Sequence, residues 1–375
     1  MAGDSRPAAR IRLACPDVGD EEIAAVTSVL RTPILTNGPE TAAFEREFAA
    51  YHGAEHGVAF ANGTVALVAM FAALGIGPGD EVVVPSLTFV SSATSIVQAG
   101  ATPVFADVDP DTFNLDPADA ARRIGPRTKA ILAVHYGGQP ADLAELAALA
   151  EDAGLLLIED AAEAHGARYR GRHVGTWGKA GMFSFTPTKN ITTGEGGLVL
   201  TGDGDLAGRL RLIRNHGQTE PYVHTLLGSN WRITEMQAAM GRAQVAKLDR
   251  ILHRKRAVAA ELDRLLAAMD GVTAPVVRPD RDHVHMLYTV KFAGGRAARE
   301  AAVDELARRG IESRVYFPPV HRQPIFAGTR ADLPVTDDLA GRILSLPAHS
   351  RLTAAELAEI AAGVEAAAGV PVAVA

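Results

Sequence analysis

The stretch Leu155-Leu156-Leu157-Ile158-Glu159-Asp160 has four consecutive apolar residues and ends on two carboxylates. Unbroken apolar runs are typical of strands that are buried on both faces, as in a parallel sheet covered by helices. Six further short runs, most of them also continuously apolar, alternate with turns and helical patterns at 57–60, 81–85, 103–107, 130–135, 181–185 and 198–201. We therefore predict an α/β fold with a mainly parallel seven-stranded sheet between helices, and a ligand site at the carboxyl ends of the strands.

The second part of the chain has a different organisation. After residue 202 the strand pattern stops and helical spacing dominates, until two prolines near residue 275 mark a connection. The pattern beyond this connection predicts strands at 286–292 and 311–315 and helices at 296–309 and 354–367. These elements indicate a smaller α+β domain, because short strands and helices alternate without the long apolar runs of the first part.

The change of pattern predicts three parts. Residues 1–12 are expected to be disordered or extended, because they are polar and lie at a terminus. Residues 13–245 are predicted to form the large domain that carries the sheet. Residues 246–375 are predicted to form a small C-terminal domain that includes the long connecting helix. A single extended domain is the alternative.

Composition excludes several classes of function. The formal net charge of −7 leaves no basic footprint, so we expect neither nucleic acid nor an anionic membrane as a partner. No apolar stretch approaches the length of a membrane span, and the first ten residues lack the apolar segment of a signal peptide. The single cysteine, Cys15, excludes an internal disulfide framework. We expect a cytoplasmic protein, and we identify no metal site.

A loop with one lysine follows the predicted strand at 181–185. Lys189 lies there among small and hydroxyl-bearing residues, and three glycines follow it before residue 198. Surface lysines usually lie on amphipathic helix faces, so this setting favours a reactive amine. A lysine becomes a nucleophile when burial or nearby positive charge lowers its pKa, because only the neutral amine attacks a carbonyl. The alternative is a solvated loop lysine.

A phosphate site is predicted at the junction between the first strand and the following helix. Gly63 and Thr64 lie at this junction, directly after Asn62. The first turn of a helix has N–H groups without intrahelical partners and a positive dipole end, which favour an anion. Ser184, five residues before Lys189, is a candidate hydroxyl donor to the same phosphate. The alternative is that this junction is only a helix cap.

Two further side chains follow strand ends. Asp160 ends one run, and a carboxylate at the carboxyl edge of such a sheet can pair with a protonated heterocycle nitrogen. Phe89 lies just beyond another strand and can stack on a flat ring. Individually, Asp160 is more often a helix cap and Phe89 a core residue. Together with Lys189 and the phosphate site, however, they make the four contacts that pyridoxal phosphate (PLP) needs.

Several longer runs resemble those of a known family, and this resemblance covers the chain from about residue 33 to residue 321. They are 61–67, 77–82, 85–89, 159–166, the lysine loop 184–197, and 230–239. In these runs the sequence resembles the sugar aminotransferases of the DegT/DnrJ/EryC1/StrS family. That family has the aspartate-aminotransferase fold, fold type I of PLP enzymes, with a large PLP-binding domain and a smaller C-terminal domain.

The resemblance implies a role for each predicted site residue. Lys189 would form the Schiff base with the cofactor and then move a proton between substrate carbon and cofactor carbon. Asp160 would keep the pyridine nitrogen protonated, and Phe89 would stack on the ring. The backbone at Gly63 and Thr64, together with Ser184, would hold the phosphate.

The resemblance also implies a homodimer with shared active sites. In the family, the asparagine of an N-x-R run reaches the phosphate from the neighbouring subunit, and Asn230 stands at this position. Arg232 would support that loop. Tyr316 and His321 lie where family members approach the sugar nucleotide, although a loop at the domain edge is equally consistent with them. His135 and Tyr136 are interpreted as the end of a strand before the turn at Gly137, and a place in the lining of the pocket is the alternative.

Glu163 is the position at which this chain departs from a common family pattern. The family often has glutamine there, which donates to the phenolic oxygen of the cofactor, whereas a glutamate must be protonated to donate. In the family, glutamate at this position accompanies the Thr-Thr-Gly-Glu-Gly-Gly sequence, found here at 192–197, in members that aminate C4 of a 4-keto-6-deoxy sugar. The resemblance therefore favours C4 over C3.

The predicted function is a PLP-dependent aminotransferase. It would move an amino group from L-glutamate to a keto group of a nucleotide-linked keto-deoxy sugar. A keto-cyclitol or another ketone as acceptor, and a PLP-dependent sugar dehydratase, are the alternatives. A dehydratase is disfavoured because Lys189 is present and one cysteine cannot hold a four-thiolate cluster. A non-catalytic relative is the least favoured class, and a dehydrogenase is disfavoured because no G-x-G-x-x-G follows the first strand.

Overall fold

A computed structural model of the protein describes residues 9–329 and 331–368. Part of the predicted N-terminal segment, residues 1–8, and the last residues of the predicted small domain, 369–375, lie outside the described residues. Within the described ranges, no helix is long and apolar enough to cross a bilayer.

Helices and strands alternate along most of the described chain. The helices are α1 Asp20–Leu30, α2 Pro39–His52, α3 Gly63–Ala73, α4 Ser91–Gln98, α5 Pro117–Arg123, α6 Leu143–Asp152, α7 Gly204–Arg214, α8 Glu235–Ala246, α9 Leu248–Leu266, α10 Gly295–Arg308, α11 Pro334–Arg342 and α12 Ala354–Ala368. The strands are β1 His56–Phe60, β2 Glu81–Pro85, β3 Thr102–Ala106, β4 Thr128–Val134, β5 Leu156–Asp160, β6 Arg168–Tyr169, β7 Arg172–His173, β8 Ala180–Ser184, β9 Gly197–Thr201, β10 Gln218–Glu220, β11 Val223–His224, β12 Val272–Thr273, β13 Arg281–Asp282, β14 Tyr288–Phe292 and β15 Ile343–Leu346.

Seven strands form the main sheet, in the order β1-β9-β8-β5-β4-β2-β3. The pairs from β3 through β2, β4 and β5 to β8 are parallel. Only β9 runs against its neighbours β8 and β1 in this sheet. The predicted mainly parallel seven-stranded sheet is confirmed, and the carboxyl ends of six strands meet at one edge.

Both faces of this sheet are buried, which explains its continuous apolar runs. Adjacent residues of β5 point into different cores, Leu157 into one and Ile158 into the other. The first core also contains side chains of α2, α5, α6 and α8, and the second contains side chains of α3, α4 and α7. Helices therefore cover the sheet on both sides, as the sequence predicts.

The C-terminal part has a separate core over a small antiparallel sheet. The order of its strands is β12-β14-β15, and α9, α10 and α12 pack on it. The predicted strand at 311–315 is wrong. Ile311 and Arg314 form only isolated bridges, to Ile11 and Ser345, and β15 pairs with β14 instead. Polar residues interrupt 311–315, whereas the four residues of β15 are all buried.

Candidate active site

A cavity of about 900 Å³ opens at the carboxyl edge of the main sheet. The ends of β1, β2, β4, β5 and β8 reach it, so residues distant in sequence meet there. Eight of the predicted site residues line it: Gly63, Thr64, Phe89, Asp160, Glu163, Ser184, Lys189 and Tyr316.

The amine of Lys189 lies at the base of the cavity. Its Nζ donates to Glu163 Oε1 at 3.2 Å, and the two side chains are only 12% and 8% exposed. Glu163 Oε2 accepts the backbone N–H of Gly137 at 2.8 Å. Both oxygens of Glu163 therefore accept hydrogen bonds, and the side chain holds the lysine in place.

Asp160 is buried at the end of β5 and is oriented by two donors. Ser92 donates its hydroxyl to Oδ2 at 2.8 Å, and the N–H of Ala162 donates to Oδ1 at 3.1 Å. The Ser92 hydroxyl is itself within 2.8 Å of the Thr88 hydroxyl. Burial raises the pKa of the Asp160 carboxyl, although the two hydrogen bonds and the charge of Lys189 act in the opposite direction.

At the junction after β1, the first turn of α3 lies very close to Ser184 at the end of β8. The side chain of Asn62 caps α3 by accepting the N–H of Val65 at 3.0 Å, so the first-turn amides of Gly63 and Thr64 are directed out of the helix. A Cβ on Gly63 would lie 3.0 Å from Ser184 Cβ, because β8 ends beside this turn. Only glycine lets the helix N-terminus and Ser184 lie this close together.

The glycines of the lysine loop also have a steric reason. A Cβ on Gly197 would lie 2.4 Å from Asn62 O and 2.8 Å from Gly63 N, where β9 passes the same turn. A Cβ on Gly196 would lie 2.4 Å from Thr193 Oγ1. Gly194 has a φ of +79°, a conformation that other residues rarely adopt. Gly197 therefore allows β9 to pass the junction closely, whereas Gly194 and Gly196 allow the path of the loop itself.

An aromatic wall closes the cavity from the C-terminal side. We call residues 314–318 the C-terminal wall, and all five of them line the cavity. The rings of Phe317 and Phe89 are 5.9 Å apart in an edge-to-face arrangement. Tyr136, at the end of β4, donates its hydroxyl to the carbonyl of Tyr316, and its ring lies 6.2 Å from that of Phe317. The wall is thus attached to the strand ends through aromatic contacts.

Comparison with known proteins places this geometry in a family. Residues 16–365 match the DegT/DnrJ/EryC1/StrS aminotransferase family. The chain belongs to this family. It is 43% identical over 342 residues to a dTDP-3-amino-3,4,6-trideoxy-alpha-D-glucose transaminase of Streptomyces venezuelae, a match that covers 90% of this chain and 89% of the relative. It is 41% identical over 362 residues to the GDP-perosamine synthase of Caulobacter vibrioides, covering 95% and 98% of the two chains.

Solved structures agree with this placement. The fold matches that of S. venezuelae DesV, solved in complex with a ketimine intermediate, with a TM-score of 0.89 and 42% identity over 93% of this chain and 95% of the other. The chain is therefore an aminotransferase of the DegT/DnrJ/EryC1/StrS family, and its cofactor is PLP.

The residues present fit PLP. Each oxygen of Asp160 has one hydrogen-bond donor, and a buried carboxylate with a raised pKa favours a cationic partner such as a protonated ring nitrogen. The out-directed amides at Gly63 and Thr64, beside the Ser184 hydroxyl, suit a phosphate. Phe89 is 54% exposed at the cavity, so its ring is free to stack on a flat group.

Two predicted residues lie outside the cavity. His321 is only 5% exposed and contacts Ser86 and Asp337 rather than the cavity, so its position does not support the predicted contact with substrate. Asn230 is exposed and lies in a β-bridge with Asn215. Arg232 Nη1 donates to Asn215 Oδ1 at 2.7 Å, so this arginine supports the strand segment opposite Asn230.

The sequence analysis missed several residues of the site. Ser92 orients Asp160 from the first turn of α4, but a serine in a serine-rich helix start gives no local signal of that contact. Tyr136 was interpreted as the end of a strand, with a place in the pocket lining as the alternative, and it does line the cavity. Its place after a strand end, like that of Asp160, was the signal. Arg314 and Phe317 come from a loop without a recognisable pattern.

Proposed function

We propose that this aminotransferase moves an amino group from L-glutamate to a keto group of a nucleotide-linked keto-deoxy sugar. The observation that carries the proposal is the Lys189–Glu163 pair beside the buried Asp160, at the base of a cavity of about 900 Å³. A cavity of this volume has room beyond the cofactor contacts for a large acceptor. The dTDP and GDP groups in the names of the two relatives support a nucleotide-linked substrate.

The chain's own residues suit the proton transfers of such a reaction. When bound, PLP supplies an electron sink for the substrate carbon that loses its proton. Lys189 would act as the base for this proton, because its amine lies at the base of the cavity and is held there by the hydrogen bond to Glu163. Asp160 would hold the ring nitrogen, and Glu163 would lie beside the ring's oxygen. The C-terminal wall covers one side of the site and would limit the access of water there.

Amination at C4 is favoured over C3 in this proposal. The support is Glu163 together with the glycine loop at 192–197, whose combination resembles that of C4-specific members. The S. venezuelae relative is named for a 3-amino product, so overall identity does not support C4 by itself. Comparing a 4-keto and a 3-keto acceptor on the same dTDP carrier tests the preference, and faster turnover of the 3-keto sugar would overturn it.

We further propose a homodimer in which Asn230 completes the partner's site. Asn230 is exposed and outside the cavity of its own chain, as a residue that serves a neighbouring subunit must be. Two large apolar side chains of the preceding segment are almost fully exposed, Tyr222 at 93% and Leu227 at 95%. Their exposure is in keeping with a protein contact on this segment. A cytoplasmic location, suggested by the single Cys15, is part of the same proposal.

The absorption spectrum of the PLP-loaded protein tests the donor half of the proposal. Addition of L-glutamate without sugar should convert the absorption of the PLP form into that of the pyridoxamine form. Addition of a dTDP-linked 4-keto-6-deoxyhexose should then restore the original spectrum. If glutamate leaves the spectrum unchanged while another amino acid converts it, the donor is wrong. If no keto sugar restores it, the acceptor is wrong and a keto-cyclitol becomes the next candidate.

Asn230→Ala tests the shared site. We expect PLP to be retained about tenfold less tightly, because one hydrogen bond to a charged group is lost. Sedimentation should still give a dimer, since the substitution removes only one exposed polar side chain. Arg46→Ala, on an exposed position of α2, is the matched control and should leave PLP affinity unchanged. Unchanged affinity in Asn230→Ala would count against a contribution from the partner subunit.

A further inference from the structure

Ser86 and His321 form a buried junction between β2 and the segment that follows the C-terminal wall. Ser86 directly follows β2, and its Oγ accepts the backbone N–H of His321 at 3.0 Å. The same Oγ lies 2.7 Å from His321 Nδ1. The carbonyl of Ser86 accepts the N–H of Val320 at 2.9 Å. The carboxylate of Asp337 lies 3.3 Å from Nε2 and favours the tautomer with the proton on Nε2, in which Nδ1 accepts a hydrogen bond from the Ser86 hydroxyl.

The other ring nitrogen faces α11. His321 Nε2 lies 3.3 Å from Asp337 Oδ1, a contact without hydrogen-bond geometry. The first turn of α11 is held by Asp107, just beyond β3, whose Oδ1 accepts the N–H of Thr336 at 2.7 Å. His321 is therefore held by its hydrogen bonds to Ser86, and α11 lies on the other side of the ring. The order Ser86, His321, Asp337 resembles a nucleophilic triad, but Ser86 is fully buried and does not line the cavity, so no substrate reaches its hydroxyl.

The junction lies between two parts of the cavity. Phe89 is three residues beyond Ser86, and Phe317 is four residues before His321. The rings of Phe89 and Phe317 meet across the cavity mouth at 5.9 Å. The segments 86–89 and 317–321 are therefore joined at both ends, by the hydrogen bonds of Ser86 at one end and by the contact between the two rings at the other. A change at Ser86 would shift the C-terminal wall relative to Phe89, because few other backbone bonds connect these segments.

We propose that Ser86 and His321 are positioning residues that set the distance between the C-terminal wall and the strand ends, and thereby the affinity for the keto acceptor. Neither side chain touches the substrate. The inference rests on the proposed function, because it requires the acceptor to bind along residues 314–318. The amino-acid donor reacts at Lys189, at the base of the cavity, and does not depend on this distance.

The ionisation of His321 agrees with this role. Burial lowers the pKa of the imidazole, and the charge of Arg322 acts in the same direction, whereas the carboxylates of Asp337 and Asp107 oppose them. The ring is therefore neutral near pH 7, and Nδ1 remains an acceptor for the Ser86 hydroxyl.

Ser86→Ala tests the proposal against a matched control, Thr201→Val. The Thr201 hydroxyl also makes two hydrogen bonds, donating to Lys179 O at 2.9 Å and accepting the N–H of Asp203 at 3.1 Å. It is similarly buried, but it lies at the opposite edge of the sheet, beside the start of β1. Both variants lose one hydroxyl with two partners, so a general loss of stability should affect them equally.

Measuring the glutamate and the keto-acceptor half-reactions separately distinguishes a positioning role of Ser86 from a general effect on stability. In Ser86→Ala the KM for a dTDP-linked 4-keto-6-deoxyhexose should rise about two- to tenfold, the effect of losing one or two hydrogen bonds. The spectral conversion by L-glutamate should remain that of the wild type. Thr201→Val should change neither. If Ser86→Ala impairs the glutamate step as much as the acceptor step, or leaves both at the control values, the positioning role is wrong.

Amide hydrogen exchange gives a readout that does not depend on the acceptor's identity. In the PLP-loaded Ser86→Ala protein, a peptide over residues 314–322 should exchange faster than in Thr201→Val, while a peptide over β14 should not change. His321→Leu should behave like Ser86→Ala, and His321→Gln, which keeps an acceptor for the hydroxyl, should recover part of the protection. Equal exchange in all four variants would overturn the proposal. If the exchange rates change as expected but no keto sugar reacts, the proposed function is wrong, whereas the role of Ser86 and His321 in holding residues 314–322 is supported.

Discussion

The cavity has two sides that are built in different ways. Its floor consists of the junction 62–64, Asp160 and Lys189. Asp160 ends β5, the junction begins two residues after β1, and Lys189 follows β8 by five residues, so the sheet fixes the points from which these segments start. The C-terminal wall, 314–318, belongs to an irregular segment between α10 and α11. It is attached by a backbone bridge from Arg314 to Ser345 and by contacts of Tyr136 and Phe89. A rigid floor suits the cofactor, which every turnover uses. Because the wall is attached separately, its residues can differ between relatives without disturbing the cofactor site on the floor.

The largest effect should follow from changing the floor at Lys189. We expect Lys189→Ala to lower kcat by at least about 10³-fold, because it removes the base and nucleophile of the site together. Circular dichroism should show an unchanged fold, since the side chain is at the cavity surface rather than in a core. Lys179→Ala is the matched control: Lys179 precedes the same strand, β8, but its amine pairs with Asp203 at 2.6 Å. Retained amination in Lys189→Ala would refute the mechanism.

Asp160 offers the second change to the floor. Asp160→Asn keeps the shape and the acceptor for Ser92 but removes the charge, so we expect kcat to fall about 10²-fold. Ser92→Ala removes only one orienting donor and should cost about tenfold. The measurement is the single-turnover rate of the glutamate half-reaction followed by absorbance. If Ser92→Ala were as slow as Asp160→Asn, orientation rather than charge would be the important property of this carboxylate.

The contrast between floor and wall also explains what the sequence could predict. The floor residues follow apolar runs, and a parallel sheet brings the ends of such runs to one edge, so Asp160, Lys189 and the glycine junction were found from local patterns. The sheet order itself, with β9 antiparallel between β1 and β8, had no local signal. Ser92 was missed because its contact with Asp160 joins residues 68 positions apart.

The wall could not be predicted for a related reason. Its position depends on contacts between distant segments, such as Tyr136 with Tyr316, and no periodicity reports such contacts. His321 shows the consequence. The family resemblance suggested that it contacts the substrate, whereas the structure buries it against Ser86. The predicted strand at 311–315 failed in the same segment, where bridges to two different partners replace a regular ladder.

Lys255 lies behind the floor, and a substitution there is expected to change the stability of the protein. This lysine of α9 lines, with Lys189, a small cavity of about 30 Å³ on the far side of the floor. Burial lowers the pKa of its amine to about 7, and its Nζ donates to Met286 O at 3.3 Å. From pH 7 up to the ordinary lysine pKa near 10.5, the unfolded chain therefore binds more protons than the folded one. Stability rises with pH across this range by up to about 1.4 kcal/mol per pH unit, and below pH 7 the contribution is constant.

Lys255→Met should remove this pH dependence. We expect the difference in free energy of unfolding between variant and wild type to favour the variant by about 1–3 kcal/mol at pH 7, after the lost hydrogen bond is subtracted, and to shrink towards pH 10. Urea unfolding at several pH values measures it. The control is Lys247→Met, which should be destabilising because it leaves Glu22, 2.7 Å from that amine, buried without its cation. A difference that does not change with pH would contradict the buried neutral amine.

The smallest effect should come from the wall itself. Phe317→Leu removes the edge-to-face contact with Phe89 but keeps an apolar side chain of moderate size, so we expect the KM for the keto acceptor to rise about two- to tenfold. The glutamate half-reaction and the affinity for PLP should stay at wild-type values, because no floor residue depends on this ring. Phe326→Leu is the control, since its ring makes a similar edge-to-face contact with Phe105 in a core outside the cavity. If Phe317→Leu slowed the glutamate step as well, floor and wall would be coupled, and the separation on which this comparison rests would be wrong.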